Sequence, residues 1–500
     1  MLFLALMLTV TVTVTVIPVI VSAEGGNEVE YLETKDYYEK IIEKEIKFIS
    51  SLAFKNGAIG MFAPSVSSYS DVTLPTVDGI SPDEYRSWPS AKVVPYFSDS
   101  AVMGVIKGSE ALGNTDGKDT ALNYINWYIS HMNTAESDIN GVAGTVYDYF
   151  IFQNYDGRIV EVKLYDAYSS KYPSNNPYDY DSTDSYAAMF LEILYEYTRV
   201  FDGNFLDDKK DVVGTLVDVI MSTYVPAIDL TYAKPTYAVC YLMDNCEVYL
   251  GFEAAAKIYD EFLNDDEKRD YCHTYADKVK NALLTTMWSD EYSCFKAAVF
   301  TDGKPAGELN LTEFYPQASC QLFPLLFGVI DAADEKAETV YARFKNDFCQ
   351  EGVSGHDWSA YDLDGLTYPW CILVQAAVEM GDFRIAQKYI SVIYSRFIKT
   401  GHNYPYYNAE AGWILISSSY LYGLAAEPAE ESSEEEASTP ENTTEEESET
   451  SSAAVSESSV PTVNKSKGVS PWIYAGAGVA IAAAAAVIIY LIGKKDKKKG

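Results

Sequence analysis

Positive charge is scarce in this chain of 500 residues. Lys and Arg number 37 against 73 Asp and Glu, which gives a formal net charge of -36. An acidic stretch near the C-terminus carries part of that charge, but residues 1–426 alone retain about -30. Because a surface of this sign repels polyanions, we expect no nucleic-acid partner and favour neutral or cationic ligands.

The usual signals of metal sites and disulfide frameworks are also missing. The seven cysteines include no Cys-x-x-Cys pair, and the four histidines have no ligand spacing. Most cysteines lie in apolar helical stretches, so we expect buried free thiols. Asp179, Asp181 and Asp184, and separately Asp362 with Asp364, offer oxygen atoms that suit calcium, but neither set matches the twelve-residue calcium loop. We expect no cofactor, with calcium as the open alternative.

Both ends of the chain are apolar. Residues 1–23 end in small residues as a secretory signal peptide does, although no Lys or Arg precedes the apolar run. Residues 471–493 are long enough to span a membrane, and the basic tail 494–500 predicts a cytoplasmic end. The segment 427–470 carries twelve glutamates and is too polar to fold, so it reads as a disordered stalk. We expect a single-pass cell-membrane protein with residues 24–426 outside the cell.

Residues 24–426 read as helices that alternate between amphipathic and apolar. The amphipathic segments are predicted to lie outside: Glu33–Phe54, Asp116–His131, Leu206–Thr223, Asp266–Trp288, Asp334–Phe348 and Phe383–Ile398. The apolar segments are predicted to lie inside: Tyr96–Leu112, Asp181–Phe201, Asp244–Phe262, Pro316–Ile330 with a kink at Pro324, Thr367–Met380 and Asn408–Leu424. The pattern therefore predicts twelve helices in six hairpins.

The connections between these helices differ in length. Links from an inner to an outer helix are short, whereas most links from an outer to an inner helix are long, and long links of this kind are usually functional. One of them contains residues 145–152 and 158–164, which read as a β-hairpin. If the helices close into a ring, the long links share the face where the inner helices begin.

Carboxylates, Tyr and Trp concentrate at the predicted starts of the inner helices and in the long links. Aromatic faces stack on sugar rings and carboxylates bind sugar hydroxyls, so this composition indicates a carbohydrate ligand. The candidate substrate-binding residues are Tyr96, Trp127, His131, Asn133, Tyr147, Asp148, Asp244, Asn245, Tyr315, Gln317, Trp358 and Trp413.

Five short motifs in this order resemble the six-hairpin glycosidases. They are Trp127-Tyr-x-x-His131-x-Asn133, Asp181-Ser-Thr-Asp184-Ser-Tyr-Ala-Ala, Met243-Asp-Asn-x-Glu247-Val-Tyr, Tyr315-Pro-Gln-x-x-x-Gln321-Leu-Phe-Pro and Asn408-Ala-Glu410-Ala-Gly-Trp413. The resemblance covers about residues 30 to 426 and implies an all-α (α/α)6 toroid, with the β-hairpin in one loop. It also implies a monomeric extracellular glycoside hydrolase that cuts an oligosaccharide or polysaccharide.

Glycosidic hydrolysis needs one carboxylic acid and one carboxylate. We predict Asp181 or Asp184 as the base that activates water and Glu410 as the acid, with Asp357 as a further catalytic candidate. Acting across a water molecule, such a pair would invert the anomeric centre. Two alternatives stay open: a non-catalytic glycan-binding or structural surface protein on the same fold, and a polysaccharide lyase.

Overall fold

The computed structural model describes residues 32–69, 72–174, 176–349 and 357–425. The chain divides into two units, Met1–Ala426 and Glu427–Gly500, and the second lies entirely outside the described residues. The predicted signal peptide, stalk, membrane span and basic tail lie outside them as well. Within the four described ranges, no helix has both the length and the apolar character needed to cross a bilayer.

The described residues form fourteen α-helices. They are α1 (Lys35–Ser51), α2 (Pro82–Tyr85), α3 (Pro95–Ala111), α4 (Lys118–Ser130), α5 (Leu164–Tyr168), α6 (Asp184–Phe201), α7 (Lys210–Met221), α8 (Leu242–Glu261), α9 (Asp266–Ala282), α10 (Phe323–Leu326), α11 (Glu335–Phe348), α12 (Ile372–Glu379), α13 (Phe383–Ile393) and α14 (Asn408–Leu424). Apart from the short α2 and α5, they alternate between an outer and an inner position, as the hydrophobic pattern predicts.

The six inner helices close into a ring. Helix α3 contacts α6, and the contacts continue from α6 to α8, α10, α12 and α14, which returns to α3. Outer helices α1, α4, α7, α9, α11 and α13 pack on the outside of this ring. Helix α6 is buried on almost every side, because its sequence leaves no polar face to turn towards solvent.

The inner helices begin on the same face of the ring. The first residue of α14, Asn408, donates its backbone N–H to the Met61 carbonyl and its side-chain amide to Ser98 in the first turn of α3. Cys371, just before α12, donates its N–H to Glu410 in the first turn of α14. We call this face the rim.

Close helix contacts hold the ring together. A Cβ on Gly412 of α14 would lie 2.2 Å from the Ser100 carbonyl oxygen of α3, and a Cβ on Gly251 of α8 would lie 2.6 Å from Ala188 of α6. At these distances only the hydrogen atom of a glycine fits between the two helices. The backbones therefore pack directly against one another, which brings the side chains of neighbouring helices into contact one turn nearer the rim.

Several predicted helix starts were wrong: α7 begins at Lys210 rather than Leu206, and α12 begins at Ile372 rather than Thr367. Helix α6 begins at Asp184 rather than Asp181, and α8 begins at Leu242 rather than Asp244. Neither N-cap residue, Thr183 or Tyr241, makes a side-chain capping bond. The backbone N–H of Thr183 instead bonds to the Ala233 carbonyl, so a tertiary contact fixes this helix start.

The fourth inner segment is not one helix. The π-helical turn Phe314–Ala318 and the 3-10 turn Ser319–Leu322 precede α10. Pro324 lies in the first turn of α10, where its missing N–H is not needed, so it opens a helix rather than kinking one. π-Helical turns also occur at Leu283–Met287, Asp362–Leu366 and Tyr394–Ile398.

Small antiparallel sheets occupy the links. The strands are β1 (Ser90–Val93), β2 (Tyr149–Gln153), β3 (Ile159–Lys163), β4 (Tyr224–Val225), β5 (Leu230–Thr231), β6 (Val239–Tyr241), β7 (Trp288–Ser289), β8 (Cys294–Phe295) and β9 (Ala298–Phe300). The predicted hairpin is β2–β3, with Tyr149 opposite Lys163, and β1 adds an unpredicted third strand. This sheet has its own hydrophobic cluster, which includes Tyr85, Trp88 and Phe152.

Gly412→Ala should destabilise the ring. The new methyl group would overlap backbone atoms of α3, so we expect a loss of about 1–3 kcal/mol in the free energy of unfolding. The matched control is Gly423→Ala in the same helix, where nothing lies within 4 Å and the higher helix propensity of Ala is expected to leave stability equal or slightly raised. Urea unfolding of both variants measures the difference; equal losses would contradict this packing.

Candidate active site

Five carboxyl groups gather on the part of the rim formed by α6, α8 and the links near them. They belong to Asp148, Asp181, Asp184, Asp244 and Glu247. The contact between Ala188 and Gly251 explains part of this grouping, because Asp184 and Glu247 each lie four residues earlier in their parallel helices. Two carboxyl groups from different inner helices therefore stand side by side beneath the rim.

Asp184 is sealed within this group. Its side chain has no solvent exposure, and its Oδ1 accepts hydrogen bonds from the Ser182 hydroxyl and the Ser185 N–H. Its Oδ2 is buried without a partner. Burial raises the pKa of the Asp184 carboxyl, although these hydrogen bonds oppose the change. A sugar bound at the rim would not touch this carboxyl group directly.

Glu247 and Asp148 are joined through two tyrosines. Tyr96 donates its hydroxyl to Glu247 at 2.5 Å and stacks on Tyr186, whose hydroxyl donates to Asp148 at 3.0 Å. Burial raises the pKa of Glu247 to about 8, and it raises the pKa of Asp148 to about 6 although Lys92 lies 3.6 Å away. Near neutral pH, Glu247 therefore holds a proton.

Asp181 and Asp244 differ from the other three because their side chains reach solvent. Asp181 is exposed and Asp244 is half-buried. In the described part of the chain, neither side chain makes a hydrogen bond or an ion pair with another residue. Burial raises the pKa of Tyr315, and both carboxylates raise it further, so both lie near this ring. These two carboxyl groups are free to meet a substrate.

Glu410 lies elsewhere on the rim, among α12, α14 and the Asp362 turn. Its Oε2 accepts the N–H of Cys371 at 2.6 Å, and burial raises its pKa to about 7. Asp362 nearby accepts bonds from the Tyr389 hydroxyl and the Trp370 N–H, and burial raises its pKa to about 8. Both groups are enclosed by protein partners.

Partly exposed aromatic rings line the same part of the rim. The ring of Trp370 lies 4.4 Å from that of Tyr315, and Phe62 lies 5.4 Å from Tyr404 and 6.1 Å from Tyr407. These rings offer faces for sugar stacking near the carboxyl groups. Trp370 was not among the predicted binding residues, although it lies in the same long link as Trp358, which was.

Two predicted residues lie apart from the five carboxyl groups near α6 and α8. Trp358 is buried, stacked at 4.2 Å on Tyr389 of α13 and edge-on to Phe344 of α11. Asp357 beside it is also buried and accepts the Ser359 N–H. The structure therefore places Trp358 in packing between outer helices, and it does not bring Asp357 to the other catalytic candidates.

Four further predicted residues brace the β-hairpin. Trp127 donates to Glu161 of β3 at 3.3 Å, and His131 bonds the same carboxylate at 2.6 Å. Asn133 bonds Thr145, and the buried Tyr147 accepts the N–H of Ile139. Burial alone would raise the pKa of Glu161, but the bonds from its neighbours, His131 first among them, lower it. This bracing holds the link that carries Asp148.

Of the three remaining predicted residues, one is buried in the fold and two are half-buried. Asn245 is buried and bonds Thr231 and the Tyr241 carbonyl, so it fixes the start of α8. Gln317 is half-buried in the turn beside Tyr315. Trp413 is half-buried and lies edge-on to Phe327 at 6.3 Å.

The aspartates considered for calcium do not converge. Asp179 pairs with Lys234 at 2.6 Å, whereas Asp181 is exposed and Asp184 is enclosed. Throughout the described ranges, His, Cys, Asp and Glu form no group of three or more that suits a metal ion. The donor sets that the sequence suggested therefore do not fit calcium in this arrangement. All seven cysteines are buried and free.

The fully buried thiol of Cys371 lies next to the carboxyl group of Glu410. Burial raises the pKa of this thiol, and Glu410 raises it further. A thiol held in this neutral state is a poor nucleophile and a poor metal ligand. Cys371 therefore serves packing and presents its backbone N–H to Glu410.

A scan against models of protein families finds no match to the chain, and neither does a search of curated proteins. Similar solved structures include a wild-type glycosidase, at 10% identity and a TM-score of 0.48, covering 80% of this chain and 100% of that one. A mutant of Rex8A from Paenibacillus barcinonensis, complexed with an arabinofuranosyl-xylotetraose, shows 12% identity, a TM-score of 0.44 and coverage of 80% and 96%. A reducing-end-xylose releasing exo-oligoxylanase shows 10% identity, a TM-score of 0.45 and coverage of 79% and 96%.

These solved structures are glycosidases, the class of protein that the sequence motifs resemble. At these identities and TM-scores the likeness is loose. The ring of six hairpins is established by the helix contacts of this chain itself.

Glu247→Gln should flatten the dependence of stability on pH. A carboxyl group whose pKa is raised on folding contributes most below its unfolded pKa of about 4.3, and this contribution is lost as the pH rises towards about 8. Gln stays neutral and still accepts from Tyr96, so the variant's melting temperature should fall less than that of the wild type between about pH 5 and 8. The control is the exposed Glu43→Gln. An unchanged slope in Glu247→Gln would contradict this assignment.

Proposed function

We propose that the chain hydrolyses glycosidic bonds in an oligosaccharide or polysaccharide bound at the rim. One observation supports this most directly: carboxyl groups that reach solvent stand beside buried ones that hold protons, next to partly exposed aromatic rings. Hydrolysis needs a proton donor and a carboxylate in one place, and sugars need faces on which to stack. No other part of the described chain combines these three features.

The charges around the rim favour hydrolysis over the two alternatives. A non-catalytic protein would be expected to neutralise its carboxylates in ion pairs, but within the described ranges Asp181, Asp244 and Glu247 form none. A lyase needs positive groups to neutralise a uronate. The cations beside these carboxyl groups are Lys92, at 3.6 Å from Asp148, and Lys234, which is bound to Asp179.

The stereochemistry follows from how the acid and the base are spaced. A separation of about 6.5–9.5 Å between the two carboxyl groups leaves room for the attacking water and gives inversion at the anomeric carbon. We propose inversion, because the rim offers a base that is solvated rather than pressed against the substrate. Proton NMR of the first product reports the anomer formed.

The full chain should release reducing ends from at least one neutral or cationic glycan. The panel is xylan, cello-oligosaccharides, mixed-linkage β-glucan and deacetylated chitin, and no ultraviolet-absorbing unsaturated product should appear. Asp181→Asn should lower the rate by at least about 100-fold, the usual contribution of general acid–base catalysis. Asp302→Asn, a surface change at an exposed ion pair with Lys304, should have no effect. Absence of release, or an undiminished rate in Asp181→Asn, would end the proposal.

We also propose that the hydrolytic domain faces the outside of the cell on a single membrane anchor. The sequence supports this through the apolar residues 471–493, the acidic stretch 427–470 before them and the lysines after them. The full chain should sediment with membranes and resist extraction by alkaline carbonate. A chain ending at residue 470 should be released, and a truncated chain that still sediments would overturn the assignment.

A further inference from the structure

Seven carboxyl groups lie at or under the rim, and they differ in what their side chains touch. Five have protein partners: Asp148, Asp184, Glu247, Asp362 and Glu410. The other two, Asp181 and Asp244, have no hydrogen bond or ion pair with another residue in the described part of the chain, and both reach solvent. A catalytic acid and a catalytic base must both touch the substrate or its attacking water. Only this pair meets that requirement without rearrangement.

The two free groups face the same space. Burial raises the pKa of Tyr315 and that of Tyr241. Asp181 and Asp244 each raise both pKa values further. The Tyr315 ring in turn lies against Trp370. Asp181 and Asp244 therefore both lie near the Tyr315 ring, and Trp370 extends this aromatic surface on the rim.

The surroundings of Asp244 disfavour its ionised form. Its titratable neighbours are acids, phenols and thiols: Asp181, Asp184, Glu247, Tyr96, Tyr241, Tyr315, Cys240 and Cys246. Burial raises the pKa of Asp244, and the Asp184 and Glu247 carboxyls raise it further. Asp181, in contrast, stands before α6 in solvent, which solvates its charge.

We infer that Asp244 is the proton donor and Asp181 the base of the proposed hydrolysis, and that Asp184 is a positioning residue whose negative charge holds the proton on Asp244 from below. This inference rests on the proposed function. It keeps Asp181, one of the two bases expected from the sequence, and replaces the expected acid Glu410, because Asp184 and Glu410 are both enclosed by protein atoms.

The chemistry balances with water as the only co-reactant. The glycosidic C–O bond breaks, its electron pair goes to the leaving oxygen, and that oxygen takes the Asp244 proton. A water oxygen bonds to the anomeric carbon as Asp181 takes one of its protons. Asp181 is then protonated and Asp244 ionised, and transfer of one proton through solvent restores the starting state.

Replacement of Asp244 and replacement of Asp181 should give different patterns of activity on two substrates. Asp244→Asn should cleave the natural glycan at least about 100-fold more slowly but retain most activity on a 2,4-dinitrophenyl glycoside of the same sugar, because that leaving group needs no proton. Asp181→Asn should lose activity on both substrates and regain part of it with azide, which replaces the activated water. Loss of both activities in Asp244→Asn, or full activity in either variant, would overturn the assignment.

The role of Asp184 as a positioning residue should be tested through the dependence of kcat/KM on pH. In Asp184→Asn, the alkaline limb of kcat/KM should move to lower pH while KM stays near its wild-type value, since one negative neighbour of Asp244 is gone. A purely structural role would reduce stability and leave the limb in place. Asp302→Asn on the surface is the control and should change neither quantity.

One measurement separates this inference from the proposed function. In the full chain labelled with ¹³C at aspartate carboxyls, several resonances should titrate above the ordinary aspartate range, and one of them should disappear in Asp244→Asn and titrate at lower pH in Asp184→Asn. If this resonance is absent, the assignment of Asp244 fails whatever the chain hydrolyses. If it is present but no glycan is cleaved, the proposed function fails and the electrostatic arrangement stands.

Discussion

The direct backbone contact between neighbouring inner helices is the constraint on which the rest of the structure depends. Gly412 against Ser100 and Gly251 against Ala188 allow parallel helices to pack without intervening side chains. The residues one turn nearer the rim are then forced together. Six helix N-termini meet there as well, and their dipoles favour carboxylates by about 0.3–1 kcal/mol each. For Glu247, in the second turn of α8, loss of water outweighs that weaker attraction, so this acid holds its proton.

Most of the ring follows from local patterns in the sequence. The alternation of amphipathic and apolar segments predicts the outer and inner helices, and link length predicts which face carries the loops. The helix starts do not follow, because Thr183 and Asn245 are fixed by bonds to Ala233 and Thr231 in a distant link. The fourth hairpin does not follow either, since its apolar run fits a long helix as well as the broken turns observed.

The sequence predicts where the candidate site lies better than it predicts which residues belong to that site. Carboxylates and aromatic residues near helix starts identify the rim, but composition does not tell a ring that faces solvent from one that faces the core. Trp358 and Trp370 lie twelve positions apart in one link, yet the first is packed between outer helices and the second lines the rim. Likewise, Asp181 and Asp244 were both named, while the burial that distinguishes Asp184 from them depends on tertiary packing.

The three-stranded sheet has its own hydrophobic cluster and is tied to α4 through Glu161. It is thus a small lobe that can be altered while the helices beneath it stay unchanged, since lengthening a surface link costs little free energy. Ring and lobe are separable in engineering terms: residues of this lobe can be exchanged on a scaffold whose helices need no redesign.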